Sequence, residues 1–162
     1  MDNTTVPEIS CPFCTSALED SVFLGSSDFI AIYNIAPILE GHSLVIPRRH
    51  VESIFELHQA EMEEFFKFAA KATKLLMKTF NGKGFDWSVQ QGEAAGQTVA
   101  HVHLHIVIRK PGDLRESGEW YEEVRKNESI LLDSKSRKKL SQDEIRKVVK
   151  KIRDIADIDF VK

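Results

Sequence analysis

The sequence predicts an α+β domain, and three observations carry that expectation. Short apolar runs bounded by turn residues fill the first third of the chain, a helical stripe follows, and strand character then returns. The early runs are Val22-Phe23-Leu24-Gly25, Phe29-Ile30-Ala31-Ile32-Tyr33 and Ser43-Leu44-Val45-Ile46, separated by Gly, Pro, Ser, Asp or Asn. Their spacing suits an antiparallel meander.

The stripe consists of Met62, Phe65, Phe66, Ala69, Ala72, Leu76 and Phe80, with Glu63, Glu64, Lys67, Lys71, Lys74 and Lys78 opposite. Steps of three and four residues place these apolar side chains on one face of a long helix that ends before Asn81-Gly82. The stripe is core and carries no chemistry. Asp86 to Gln90 and Thr98 to Ile108 then read as the arms of a hairpin around a loop holding Gly92 and Gly96. Beyond Lys110-Pro111-Gly112-Asp113 the chain is highly charged. Ser141-Gln142-Asp143-Glu144 is a capping-box signature, so a C-terminal helix over about 141–156 is expected, after a poorly ordered stretch around Asp133–Lys139.

At 162 residues the chain suits one domain over 1–162, with its core at about 9–125 and a charged C-terminal extension. A net charge of −3 offers no basic face for nucleic acid, although a local pocket could still hold a small anion. No apolar segment approaches the ~20 residues needed to cross a bilayer, and Met1-Asp2-Asn3-Thr4-Thr5 does not read as a signal peptide. A cytoplasmic protein without membrane association is the expectation. The 2 cysteines, in Cys11-Pro12-Phe13-Cys14, are too few for a secreted disulfide framework. Metal or redox chemistry, or simple burial as reduced thiols, accounts for them.

The most informative segment is His101-Val102-His103-Leu104-His105. Random placement of 6 histidines in 162 residues gives about 0.008 such alternating runs per chain. On a strand the three rings share a face while Val102, Leu104 and Ile106 turn to the core. Convergence on zinc is one use of that arrangement. Phosphoryl chemistry is the other, because a neutral imidazole nitrogen is available as a nucleophile near neutral pH, provided the second nitrogen keeps its proton. The preceding loop suits a phosphate: Gly92 and Gly96 permit close backbone approach, and Gln90, Gln97 and Thr98 offer neutral donors.

The run from Gln90 through Gly92-Glu93-Ala94-Ala95-Gly96-Gln97-Thr98 to His105 resembles the histidine triad superfamily, and within it the Fhit branch of dinucleoside polyphosphate hydrolases. Asn34 and Gly41-His42-Ser43-Leu44-Val45-Ile46-Pro47 match as well. The resemblance spans about residues 9–125 and implies an antiparallel sheet continued across a homodimer. It implies His103 as the nucleophile toward the α-phosphate, giving a nucleotidyl-histidine intermediate that water hydrolyses. His105 and His42 match residues contacting the phosphate region, Gln90 and Gln97 phosphate-binding amides, and Thr98 a nearby hydroxyl. Asn34 matches a ribose contact and Ile32 the base-binding wall. Relatives of the Hint type, which hydrolyse nucleoside phosphoramidates, carry Asn where Gln90 stands and end in Trp-Pro-Pro-Gly, absent here. Tyr121, following Trp120, instead lines up with an Fhit tyrosine.

The cysteines set this chain apart from familiar Fhit proteins, which also have Pro in place of His50. Galactose-1-phosphate uridylyltransferases of the same superfamily combine such a pair with two histidines on zinc. By that resemblance Cys11, Cys14, His50 and His101 form a closed structural zinc site. Strand alternation places His101 beside His103, so it reaches zinc only if the start of the strand bends or the metal sits beside the active site. Magnesium is expected only with the substrate's polyphosphate. His58 matches nothing functional, and Trp87 and Trp120 read as packing residues. The alternatives to a dinucleoside polyphosphate hydrolase are a phosphoramidase, a nucleotidylyltransferase and a slow-turnover nucleotide-binding signalling module.

Overall fold

A computed structural model describes residues 11–114 and 137–160. The elements in order are β1 (Val22–Gly25), β2 (Phe29–Tyr33), β3 (Ser43–Pro47), α1 (Gln59–Thr79), β4 (Gly84–Val89), β5 (Leu104–Arg109) and α2 (Gln142–Phe160). The strands form one five-stranded sheet in the order β1-β2-β3-β5-β4. Every neighbouring pair is antiparallel. The expected meander is β1-β2-β3, and β5 inserts between β3 and β4. The chain is thus the predicted α+β domain. No helix of the described residues is long and apolar enough to cross a membrane.

Alternation divides the sheet's side chains between two faces. Ala31, Tyr33, Val45, Leu104, Ile106 and Ile108 meet the buried face of α1 and Ile145, Val149 and Ile152 of α2. The other face presents Ile30, Ile32, Leu44 and Ile46, with Phe13, Leu18 and Val22 packed on it. His105 lies opposite Leu44 in the β3–β5 register and alternates with Leu104 and Ile106. The histidine therefore belongs to the face turned away from the helices.

Helix α1 buries Phe65, Phe68, Ala69, Ala72, Thr73, Leu75 and Leu76. Its buried face is wider than the predicted stripe because α2 packs beside it as well as the sheet. Phe66 departs from the stripe: it is 36% exposed and stacks on Trp87, whose Nε1 donates to Thr73 Oγ1 at 2.9 Å. Trp87 is thus the packing residue the sequence suggested. His58 caps the start of α1, where its backbone N–H donates to Glu61 at 2.9 Å. The helix stops as predicted. Asn81 is left-handed (φ 53°), Gly82 N bonds Met77 O at 2.8 Å, and Asn81 N bonds Lys78 O at 3.3 Å, so the last carbonyls are satisfied.

Three boundaries differ from expectation. Strand β5 starts at Leu104 rather than Thr98, because β4 ends opposite Leu104 and the chain bends at 99–101. There His101 N bonds Val99 O, and Val102 N bonds Val51 O at 2.7 Å instead of a neighbouring strand. The first arm of the hairpin begins at Gly84 and ends at Val89 rather than running from Asp86 to Gln90. Helix α2 runs to Phe160, with Ser141 and Glu144 forming the expected reciprocal cap. Of the stretch expected to be poorly ordered, residues 133–136 lie outside the described residues, as do Trp120 and Tyr121.

Candidate active site

The bend before β5 corrects the idea that one straight strand presents all three histidines. His105 stands on β5, while His101 and His103 lie on the extended segment leading into it. His101, His103, His105 and His42 are each at most 1% exposed. The rings of His103 and His105 lie 5.0 Å apart between centroids, and those of His105 and His42 5.3 Å. The four rings share one interior, but they serve two directions.

Backbone groups set their tautomers. His103 Nδ1 lies 2.6 Å from the carbonyl oxygen of His101, which accepts only a proton-bearing nitrogen. The lone pair of neutral His103 is therefore on Nε2. The amide of Ile38 donates to His42 Nδ1 at 3.2 Å, so the proton of neutral His42 sits on Nε2. That nitrogen lies 3.0 Å from His105 Nδ1, so His42 donates and His105 carries its own proton on Nε2. His103 is left with an outward lone pair and its neighbour His105 with an N–H, a hydrogen-bond donor.

Asn34, at the end of β2, is 6% exposed and accepts from Ala36 N at 2.9 Å through Oδ1. Its Nδ2 lies 3.4 Å from His42 Nε2, farther than His105, which takes the histidine's proton. Ile32 lies on the sheet's histidine face, 3% exposed. Gln90 Oε1 is buried without a hydrogen-bond partner among the described residues, and such an atom marks a place for a polar ligand or water.

The loop that follows turns at Gly92 (φ 83°) and Gly96 (φ 92°), where L side chains would be strained. Gln97 accepts from Gly92 N at 2.7 Å, and its Nε2 donates to Glu52 O at 3.4 Å. In this structure its amide closes the loop. Thr98 is exposed at the loop's end.

Cys11, Cys14, His50 and His101 converge on the other side of the bend. Their four donor atoms all lie within 4.8 Å of one another. Cys11 Sγ and Cys14 Sγ are 3.4 and 3.6 Å from His101 Nδ1, and Cys14 Sγ is 3.4 Å from His50 Nδ1. Tetrahedral zinc with ordinary Zn–S and Zn–N lengths separates such atoms by about 3.5 Å. The second nitrogens are also engaged. His101 Nε2 donates to Pro47 O at 3.0 Å, and His50 Nε2 lies 3.6 Å from a Glu52 carboxylate oxygen. Burial holds His101 below the ordinary imidazole range, favouring the neutral ring a metal needs. Burial and the adjacent Cys11 push the Cys14 thiol up to about 11, so Cys14 loses its proton readily only beside a cation. The set fits a closed four-coordinate metal.

Two contributors escaped the sequence reading. Phe13, between the cysteines, sets its ring edge-on to His103 at 5.1 Å and to His101 at 5.9 Å while packing on the Ile30–Ile32 face. Its place between two ligand-type residues was the available signal. The second is Gln91, which accepts from Ile54 N at 3.0 Å and donates to Glu52 O at 3.3 Å, tying the Gly92 loop to the chain after His50. Nothing local in the sequence marks that bond.

The chain is similar to known proteins in sequence and in fold. The pattern of the HIT domain matches residues 15–112. The bis(5'-nucleosyl)-tetraphosphatase (asymmetrical) of Schizosaccharomyces pombe is 39% identical over 110 residues, covering 68% of this chain and 60% of the relative. The bis(5'-adenosyl)-triphosphatase of Dictyostelium discoideum is 34% identical over 108 residues, covering 67% of this chain and 72% of the relative. The chain thus spans less than two thirds of the yeast protein's length. In fold it is similar to the diadenosine triphosphate hydrolase of Plasmodium falciparum, with a TM-score of 0.68 over 88% of this chain and 80% of that one at 22% identity. With the buried histidine row, the sheet order and the matched span in agreement, this chain belongs to the HIT domain family.

Proposed function

We propose that this protein hydrolyses dinucleoside polyphosphates at an α-phosphate through a nucleotidyl-His103 intermediate. The observation carrying the reading is the bond from His103 Nδ1 to the His101 carbonyl, which leaves Nε2 as a nucleophile of fixed direction. The activities named for the yeast and Dictyostelium relatives support the substrate class.

In the first step His103 Nε2 forms a bond to the α-phosphorus and the bridging P–O bond breaks. The departing nucleotide leaves as its phosphate anion, and His105 Nε2–H, which His42 supports from behind, donates a hydrogen bond to the oxygen on which that charge develops. In the second step water attacks the same phosphorus, the P–N bond breaks to return neutral His103, and a nucleoside monophosphate leaves with one proton of the water passing to solvent. Gln90, Gln97 and Thr98 are assigned to the phosphates, Asn34 to the ribose and Ile32 to the base. Diadenosine tetraphosphate then yields AMP and ATP, and the triphosphate AMP and ADP. Magnesium enters with the polyphosphate.

Cys11, Cys14, His50 and His101 are assigned to a structural zinc ion. Once bound, the ion cross-links the segment at Cys11–Cys14 to the bend before β5. A homodimer is proposed across β4. That strand ends the sheet, and its Phe85 is 47% exposed and packs on Trp87. Light scattering giving twice the chain mass supports the pair, and a single chain mass rejects it.

The test of substrate class is a panel of diadenosine tri- and tetraphosphate, adenosine phosphoramidate and a nucleotide sugar. The two polyphosphates are expected to turn over fastest. Faster cleavage of the phosphoramidate, or turnover of none, would reject the assignment.

A further inference from the structure

The chain between β2 and β3 carries two groups that the proposed reaction needs, Asn34 and His42, yet it has no sheet ladder of its own. Asn34 N bonds His42 O at 3.0 Å across its base, and a segment remote in sequence holds the turn between them. Arg137 Nε donates to the carbonyl oxygen of Ala36 at 2.9 Å, and Leu140 N donates to that of Ile35 at 2.8 Å. The same Ala36 presents its amide to Asn34 Oδ1. One peptide neighbourhood therefore couples the C-terminal segment to the orientation of a buried amide 3.4 Å from His42.

The holding segment is itself well anchored. The Ser141–Glu144 cap follows Leu140 directly. Helix α2 then buries Ile145, Val149 and Ile152 in the core, and Arg146 pairs with Asp20 at 2.9 Å. Residues 137–140 lie beyond the span matched by the HIT domain, residues 15–112, so this fastening is supplied by the chain's own extension.

We propose that Arg137, assisted by the Leu140 amide, is a positioning residue for nucleotide binding. It fixes the Ile35–Ala36 turn and through it the Asn34 side chain. His42 keeps independent holds from Ile38 N and His105, so loss of Arg137 loosens Asn34 and leaves the histidine row in place. The inference rests on the assignment of Asn34 to the nucleotide, and its test separates the two claims.

In the full chain, Arg137→Ala is compared with Arg137→Lys and with Lys139→Ala, an exposed neighbour. Four readouts are taken: steady-state kinetics on diadenosine tetraphosphate, calorimetric affinity for AMP, amide exchange at Ala36, and melting temperature. Loss of one charged hydrogen bond predicts a KM and an AMP dissociation constant raised about five- to tenfold, with kcat within about twofold. Faster exchange at Ala36 is expected, with partial recovery in Arg137→Lys and none of these changes in Lys139→Ala. Unchanged exchange, or faster exchange with unchanged KM and AMP affinity, overturns the positioning role. A fall in kcat together with melting temperature overturns it too, since that is general destabilisation. If wild-type protein leaves the tetraphosphate intact, the proposed reaction fails, and exchange with AMP binding still decides the role of Arg137.

Discussion

His103 Nδ1 donates to the carbonyl oxygen of His101 at 2.6 Å, and the His101 ring itself points to Cys11 and Cys14. A single bend therefore sets the tautomer of one histidine and the direction of the other. The backbone of the metal-type residue orients the proposed nucleophile, while its side chain faces the opposite way.

That division predicts separable losses. His103→Asn removes the nucleophile and should lower kcat at least about a thousandfold with little change in melting temperature. Rapid-quench kinetics on diadenosine tetraphosphate and a thermal melt check both halves.

Cys11→Ser should act in the reverse order. Elemental analysis is expected to find about one zinc per wild-type chain and far less in the variant. The melting temperature should drop by roughly 5 °C or more, given a shift of about 2–4 °C per kcal/mol at this chain length. Equal stability with no zinc in either protein would reject the metal assignment.

The row behind His103 makes a third prediction. His42 Nε2 donates to His105 Nδ1 at 3.0 Å, so His42→Phe leaves that nitrogen without the ring that orients it. Loss of that oriented hydrogen-bond donor should lower kcat roughly a hundredfold. A substrate with a less basic leaving group, whose departing oxygen develops less charge, should be cleaved with a much smaller penalty, and parallel kinetics on the two substrates measure it.

Acid sensitivity follows from Arg109, which contacts Asp113 at 3.0 Å and Asp86 at 3.0 Å. Burial pushes the Asp113 carboxyl up, but hydrogen bonds from Arg109 and Lys110 N outweigh it and hold the group below its usual value. A carboxyl depressed on folding stabilises above its unfolded pKa of about 4, and that contribution disappears as pH falls through the lower folded value. Melting temperature should therefore fall on acidification below about pH 4, and less steeply in Asp113→Asn. Circular dichroism melts across that range test the difference.

Much of this molecule is legible in its residues, for identifiable reasons. Periodicity reveals α1 because one face is buried, and Ser141 with Glu144 announces α2 because a cap is a local device. The alternation of Val102, Leu104 and Ile106 correctly places them in the core. It misleads about His101, because the bend depends on Val102 N meeting Val51 O, a bond between distant segments. The cysteine pair and the triad are visible as local patterns, whereas the carbonyls of His101 and Pro47 that set tautomers carry no residue signature. Phe68, absent from the expected stripe, is buried against Phe29 while Phe66 is 36% exposed, because tertiary neighbours set the buried face and a single-helix stripe contains no record of them. The fastening of Ala36 by Arg137 is invisible for the same reason.

The central claim is covalent chemistry at His103, and trapping tests it most directly. Wild-type protein mixed with diadenosine tetraphosphate, quenched during turnover and digested, is predicted to carry one adenylyl group on the peptide containing His103, absent in His103→Asn. Full-rate hydrolysis by His103→Asn, or adenylylation at another residue, would contradict it.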